Sequence, residues 1–451
     1  MNDIIVAIST ALGKGAISIV RLSGEGSIEL VNRCFKGKDL TKVDSHTINF
    51  GYIIDGEKII DQVLVSVMKA PKTYTREDVV EINCHGGIAA TNKILEVMVL
   101  NGARLALPGE FTKRAFLNGR IDLVEAEAVM DIVNSNTEKA REQSINQLEG
   151  KLTSVIRKFR QELLELLANV EVNIDYPEYE DIEVVTISDI KEKVKSMRKS
   201  LNEIIKESEI RKVIKEGINV AIVGRPNVGK SSILNRLLGE NKAIVTDIAG
   251  TTRDIVEGSI TLSGIQLNFI DTAGIRNTED VVEKFGVEKS IEQINKADLV
   301  ILVLNNNEEL NEDDYELINL VKNKKYITVI NKKDLDNKLN IEKLNLENII
   351  YTDTVSTDGI DALKGKIIEL FNLDEIETSS VEIFTNTRQI TLAKECLPIL
   401  NDVEKGIEDE VPVDLVAIDI KRIWSKLGEI LGENYSDELI DQLFSQFCLG
   451  K

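Results

Sequence analysis

The sequence predicts a multidomain chain of combined α/β and α class, and three observations carry that prediction. At 451 residues it exceeds what one hydrophobic core organises. Aromatic residues make up only 4% of a chain that is 43% hydrophobic, which suits helices and buried parallel strands better than a β-sandwich. Strand-like runs alternate with helices in two stretches, and each is followed by a stretch that reads as helix alone. The expected division is 1–118 for an N-terminal α+β domain, 119–215 for a helical segment, 216–375 for a doubly wound, mainly parallel P-loop domain, and 376–451 for a second helical segment.

The opening run MNDIIVAISTALGKGAISIVRLSG carries Asp3 and Lys14 within its apolar stretch and has no basic leader, so it reads as two strands around a glycine turn. Strands are expected at 4–8, 16–22, 62–68 and 79–83, with a helix at 89–99. From about 123 the period changes. Leu152, Val155, Ile156, Phe159, Leu163, Leu166, Leu167 and Val170 recur at three and four residues, one apolar stripe along a long helix. The run DYPEYE at 175–180 breaks it because proline cannot continue the helix, which is expected to resume over about 188–215.

Between 217 and 373 the runs INVAIV, QLNFI, LVILVL, YITVI and NIIYTD alternate with helical patterns, the signature of a doubly wound parallel sheet. After the acidic segment 372–377 the chain returns to helix, amphipathic over 390–403 and 415–431. A sheet domain inserted between two halves of one helical domain follows.

The net charge of -21 argues against a general electrostatic grip on nucleic acid or anionic membrane, so any RNA contact has to be local or delegated to a partner. Cys34, Cys84, Cys396 and Cys448 are far apart and form no C-x-x-C pair, which fits a reducing, cytoplasmic setting. No apolar run reaches membrane-spanning length.

The run GRPNVGKS from Gly224 to Ser231 follows the strand INVAIV and opens a helix, matching G-x-x-x-x-G-K-[ST] in the context its chemistry requires. Its backbone N–H groups are expected to surround phosphates at a helix N-terminus, where the dipole favours an anion. Lys230 would reach the β- and γ-phosphates, and the Ser231 hydroxyl would serve Mg²⁺, a hard cation that takes oxygen ligands.

Three later elements arrive in the order a GTPase needs. GTTRD at 250–254 offers a threonine hydroxyl to Mg²⁺ and backbone to the γ-phosphate. DTAG at 271–274 offers the Asp271 carboxylate to Mg²⁺ through water and the Gly274 N–H to the γ-phosphate. NKKD at 331–334 ends a strand, and a buried Asp334 carboxylate would match donors that guanine has and adenine lacks. Ser356 stands where a further backbone contact to the base is expected.

Many regulatory GTPases carry a glutamine directly after the D-x-x-G glycine to orient the attacking water, but here the residue is Ile275. The candidates for the missing function are a cation beside the phosphates, Arg253, Arg276, or a carboxylate such as Glu283.

The set GRPNVGKSS, TDIAGTTRD and DTAGIR, with IVRLSG, EINCHGG, PGEFTKRAFLNGRIDLVEAEAV, DYPEYE and the final CLGK, resembles the bacterial and organellar tRNA-modification GTPases known as MnmE or TrmE over the whole chain. The resemblance implies an N-terminal domain similar to folate-binding aminomethyltransferases, a discontinuous helical domain and an inserted GTPase domain. It implies a homodimer formed through the N-terminal domain. It also implies a flavoprotein partner, MnmG, that uses FAD and NADH, in a complex adding an aminomethyl-type group at C5 of the wobble uridine of certain tRNAs.

For GTP, the resemblance marks Asn227, Val228, Gly229, Lys230, Ser231 and Ser232, then Thr246, Asp247, Ile248, Ala249, Gly250, Thr251 and Thr252. It continues with Asp271, Thr272, Ala273 and Gly274, then Asn331, Lys332, Asp334 and Ser356. Asn227, Thr246, Ile248 and Thr251 match positions that hold K⁺, Thr252 joins Ser231 on Mg²⁺, and Glu283 matches a carboxylate that positions water. A bare cation there would offset charge on the leaving oxygens much as an arginine finger does.

Arg21, Glu81, Arg120 and Lys451 match positions that bind 5-formyltetrahydrofolate. Arg120 replaces the lysine common in the family, which keeps the charge and changes the geometry. Cys448 reads as a nucleophile or as an ordinary reduced thiol. Two other functions stay open at this point: a ribosome-assembly GTPase, which calls for a basic RNA-binding module or second G domain, and a folate-dependent methyltransferase with a regulatory GTPase, which calls for no flavoprotein.

Overall fold

The computed structural model describes residues 3–175, 180–240, 256–270, 286–341, 344–353, 358–373 and 382–450. The chain forms two compact units: Met1–Val133, Ile145–Glu203 and Thr387–Lys451 make one, and Asn134–Ser144 with Ile204–Asn386 make the other.

The first unit is built on seven strands: β1 (Ile5–Ile8), β2 (Ile17–Ser23), β3 (Phe35–Gly37), β4 (Thr47–Asp55), β5 (Lys58–Met68), β6 (Val79–His85) and β7 (Arg104–Leu105). Their order is β3-β4-β5-β6-β2-β1-β7, antiparallel throughout except for the parallel pair β1 and β7. Alternation along β2 and β6 sends Val20, Leu22, Val80 and Ile82 into a core shared with the helices Ser27–Arg33 and Ile88–Leu100. It leaves Arg21 and Glu81 half-buried on the opposite face. Strand β4 is absent from the strands expected, and β5 starts at Lys58 rather than at 62.

The helix Lys151–Asp175 buries Leu152, Ile156, Phe159, Leu163, Leu166 and Val170, while Val155 and Leu167 of the same stripe are half-buried. It packs on the helix Val413–Leu431, where the Arg160 guanidinium lies 4.3 Å from the Trp424 ring centroid and 2.6 Å from a Glu433 carboxylate oxygen. The helix after the break begins at Glu180 rather than near 188 and runs to Glu216, with neither glycine nor proline in that span to stop it.

Arg114, on the helix Glu110–Leu117, is 1% exposed and ties three carboxylates together. Its guanidinium lies 2.8 Å from Asp3 Oδ1, 3.2 Å from Glu77 Oε2 and 3.2 Å from Glu110 Oε1. Burial alone would raise the Glu110 carboxyl, yet hydrogen bonds from Arg104, the Leu107 N–H and Arg114 hold it below the ordinary carboxylate range. Arg114→Ala would leave Glu110 and Glu77 without that buried partner. The expected cost is about 3–5 kcal/mol of stability, read as a lower denaturant midpoint. Because the Glu110 carboxyl is depressed, its contribution is present above the ordinary carboxylate pKa and is lost as pH falls below it.

The second unit holds β8 (Ile218–Val223), β9 (Val256–Leu262), β10 (Ile265–Ile270), β11 (Leu299–Asn305), β12 (Tyr326–Asn331) and β13 (Ile349–Tyr351). The order β13-β12-β11-β8-β10-β9 is parallel except for β9 at its edge, which runs antiparallel to β10. Both faces are apolar: Val220, Ile222, Ile301, Val303 and Val329 join one core, and Ala221, Val223, Val300, Leu302 and Leu304 the other. Such strands need cover on both sides, and the helices Lys230–Glu240, Gly286–Lys296, Glu312–Val321 and Asp358–Phe371 belong to this unit. The carboxyl ends of β8, β11 and β12 share one edge, where open α/β sheets bind ligands.

Candidate functional site

At that edge the chain leaves β8 at Val223, turns through 224–229 and enters the helix at Lys230. Gly229 has φ of 102°, and a Cβ there would run into Asn331 Nδ2, so glycine is required by both conformation and space. The exposed Asn227 has φ of 63°. Lys230 Nζ donates to the carbonyls of Gly224 and Arg225, each at 2.7 Å, so the ammonium is folded over the loop. Burial brings the Lys230 ammonium down from its ordinary 10.5 to about 8. Ser231 is half-buried one residue into the helix, and Ser232 is exposed.

Arg225, inside the loop, is committed elsewhere: its guanidinium lies 2.8 Å from Glu308 Oε2 and 3.0 Å from Asp314 Oδ2. Asp314 is buried and belongs to the capping box that Asn311 forms at the start of Glu312–Val321. The loop is thereby anchored to a helix distant in sequence.

Asn331 ends β12 fully buried. Its Nδ2 donates to Val228 O at 2.8 Å, and its Oδ1 accepts from Thr352 Oγ1 at 3.1 Å. The side chain thus ties the strand end to the phosphate-type loop. The turn beyond is clamped as well: Lys333 N donates to Thr352 O at 3.0 Å, and Asn306 Nδ2 donates to Leu335 O at 3.1 Å. Lys332 takes φ of 62° within it.

Asp334 is exposed, which corrects the expectation of a buried carboxylate. It lies in the turn that follows β12, open to solvent. Asn306 and Thr352 were not singled out from sequence. The signal for Asn306 was an Asn-Asn-Asn run that begins at the last residue of the fully buried β11. Thr246, Asp247, Ile248, Ala249, Gly250, Thr251, Thr252, Arg253, Asp271, Thr272, Ala273, Gly274, Ile275, Arg276, Glu283 and Ser356 lie outside the described residues.

In the first unit a second polar cluster lies on the face of the sheet opposite the core of Val20 and Ile82. Arg21 and Glu81 are register partners on β2 and β6, and Arg21 Nε donates to Glu81 Oε1 at 2.7 Å. Arg21 Nη1 and Ser9 Oγ both donate to Gly450 O, at 3.2 and 3.1 Å, and Gly109 N donates to Cys448 O at 3.1 Å. A Cβ on Gly450, whose φ is 84°, would meet Ile8 O and Ser9 Cα, so the docked tail requires glycine there. Phe444 and Phe447, with ring centroids 4.8 Å apart, continue this anchorage, and Phe444 also meets Phe116 at 6.0 Å.

Tyr74 joins the cluster unforeseen from sequence. Its OH is 3.0 Å from Thr112 Oγ1, burial raises its phenol, and the charges of Arg21 and Arg120 oppose that rise. Arg120 and Cys448 are exposed, and Lys451 lies outside the described residues.

Two family models match the chain: the GTP-binding protein TrmE N-terminus over residues 4–120 and the MnmE helical domain over 123–448. The tRNA modification GTPase MnmE of Bacillus cytotoxicus is 52% identical, covering 100% of this chain and 99% of that protein. The protein of the same name from Ligilactobacillus salivarius is also 52% identical, over 100% of this chain and 98% of its own length. Among solved structures, the G domain of the T. maritima FeoB iron transporter is 24% identical, with a TM-score of 0.24, over 34% of this chain and 98% of that one.

Proposed function

The chain belongs to the MnmE family of tRNA modification GTPases, and on that premise we propose that it hydrolyses GTP to drive modification of tRNA. The observation that carries this reading is the folded-over Lys230 at the carboxyl edge of a parallel sheet, within a chain related to MnmE along its full length. The division into 1–118, 119–215, 216–375 and 376–451 belongs to the same proposal.

The loop residues fit a polyphosphate. Lys230 is a partly desolvated cation held only by two carbonyls among the described residues, and phosphate oxygens would compete for it on favourable terms. Asn227, Val228, Gly229, Ser231 and Ser232 would line the phosphates, with the Ser231 hydroxyl and Thr252 holding Mg²⁺. Bound Mg²⁺ supplies charge neutralisation at the β- and γ-oxygens. Asn227, Thr246, Ile248 and Thr251 would hold K⁺, with Glu283 orienting water, Asp271 reaching Mg²⁺ through water, and Arg253 and Arg276 as further cations. Asn331 acts by fixing the loop, and Asp334 by accepting from the guanine edge.

Arg21, Glu81, Arg120 and Lys451 would bind 5-formyltetrahydrofolate. The Arg21–Glu81 pair presents a donor and an acceptor side by side, which suits a pterin, and the tail docked through Gly450 supports the inclusion of Lys451. The chain would act as a homodimer with the FAD-dependent flavoprotein MnmG in the cytoplasm, adding an aminomethyl or carboxymethylaminomethyl group at C5 of the wobble uridine. Nucleoside mass spectrometry of tRNA incubated with the chain, the flavoprotein, GTP and folate tests this. Modified wobble uridine that forms equally without the chain or without GTP would refute it.

A linked effect follows from Lys230. Phosphate favours its charged form, so its pKa rises from about 8 on binding, and GTP binding takes up protons between about pH 8 and the bound value. Affinity therefore falls as pH rises through about 8. Calorimetry at pH near 8.5 in buffers of different ionisation heat should detect the uptake in the wild type and none in Lys230→Met. Equal uptake in both would assign the proton elsewhere.

A further inference from the structure

A depression of about 690 Å³ shares Tyr74 and Arg120 with the Arg21 cluster and is lined also by His46, Met68, Lys72 and Arg76. Lys72, Arg76 and Arg120 are exposed, and none is ion-paired among the described residues. Three such cations and a histidine around one concavity are unexpected on a chain of net charge -21. Two of these residues also hold backbone conformations that L side chains adopt at a cost: φ is 62° at His46 and 59° at Arg76.

Each conformation is secured from outside the depression. His46 N donates to Val67 O at 2.7 Å, and Arg76 Nη1 donates to Asn118 O at 2.8 Å. Arg76 is thus held at the edge of an open space that Lys72 and Arg120 also line, an arrangement that suits a ligand with several separated anionic groups.

We propose that this depression binds the poly-γ-glutamyl tail of a folate whose pterin lies at the Arg21–Glu81 pair. The inference rests on the folate reading and deepens it. Each γ-glutamyl residue adds one carboxylate; Tyr74 packs against the cluster of Phe111, whose ring centroid lies 5.6 Å from the Arg21 guanidinium, and Tyr74 also lines the depression, so a chain leaving the first site past Tyr74 meets Lys72 and Arg76. RNA phosphate shares the anionic chemistry, but a single shallow concavity of this size bordered by Tyr74 suits a thin peptide tail better than a duplex backbone.

The test compares the monoglutamate and pentaglutamate forms of 5-formyltetrahydrofolate by calorimetry on the full chain, in the wild type and in Lys72→Ala/Arg76→Asn. Asparagine at 76 tolerates the left-handed conformation, so the loop is retained. The wild type should bind the pentaglutamate about tenfold more tightly, as two or three exposed ion pairs allow, and the preference should weaken in high salt. The double variant should bind both forms equally, with monoglutamate affinity unchanged.

Equal affinities in the wild type, or a preference that survives the double substitution, would overturn the tail site and leave the folate reading intact. Failure of the wild type to bind either form would remove both. Loss of tRNA affinity in the variant with the pentaglutamate preference intact would reassign the depression to RNA phosphate.

Discussion

Lys230→Ala is expected to lower GTP turnover by about a thousandfold, because a preorganised donor aimed at developing charge contributes a factor on the order of 10²–10³, and this one carries a full charge. In the free protein the ammonium is held by the Gly224 and Arg225 carbonyls, so it is already poised above the loop before the nucleotide arrives. The loop itself should survive the substitution. Its anchors are Arg225 with Glu308 and Asp314 on one side, and Asn331 with Val228 on the other. Unchanged far-ultraviolet circular dichroism with lost turnover is the expected pair of results, and turnover within tenfold of wild type would show that the charge on Lys230 is not used.

Asp334→Asn should exchange base preference rather than abolish binding. A carboxylate accepting two hydrogen bonds from guanine loses about 1.5–3 kcal/mol for each when it becomes an amide, so GTP affinity should fall by a hundredfold or more. The amide can instead donate to the 2-oxo group of xanthine, and xanthosine triphosphate should become the better substrate. Because Asp334 is exposed, the substitution should leave stability within about 0.5 kcal/mol of the wild type. Competition binding of GTP, ATP and xanthosine triphosphate to both proteins reads this out. An unchanged ranking would remove Asp334 from base recognition.

The parts of the fold that were legible in sequence are those whose signal is local. INVAIV followed by GRPNVGKS announces a buried strand and a phosphate-type loop in fourteen consecutive residues, and the structure has the strand Ile218–Val223 entering the helix at Lys230. The stripe from Leu152 to Val170 likewise stated its own buried face. Strands with weak patterns went unread. Strand β4 interleaves Asn49, Gly51 and Asp55 among its apolar residues, and β9 carries Glu257, Gly258, Ser259 and Thr261; pairing with a neighbouring strand, not propensity, makes each of them a strand.

Contacts between residues far apart in sequence were beyond periodicity altogether. Nothing in NKKD indicates that Asn331 holds Val228, and nothing in CLGK indicates by its spacing that Gly450 O accepts from Arg21 and Ser9. Family resemblance, which carries tertiary information, pointed to Arg21, Glu81 and the C-terminal tail together. It did not point to Tyr74, whose role depends on burial beside Thr112 and on the two arginines around it.

Ile275 stands where many GTPases carry a glutamine that orients water, and the cation proposed at Asn227, Thr246, Ile248 and Thr251 would supply the catalytic charge that Lys230 does not. Steady-state GTP hydrolysis by the full chain in potassium and in sodium chloride, at equal ionic strength and saturating Mg²⁺, tests it most directly. Turnover is expected to be at least about tenfold faster in potassium, since the cation would stand in for an arginine finger whose removal costs on the order of 10³–10⁵ elsewhere. Equal, slow rates in the two salts would contradict it.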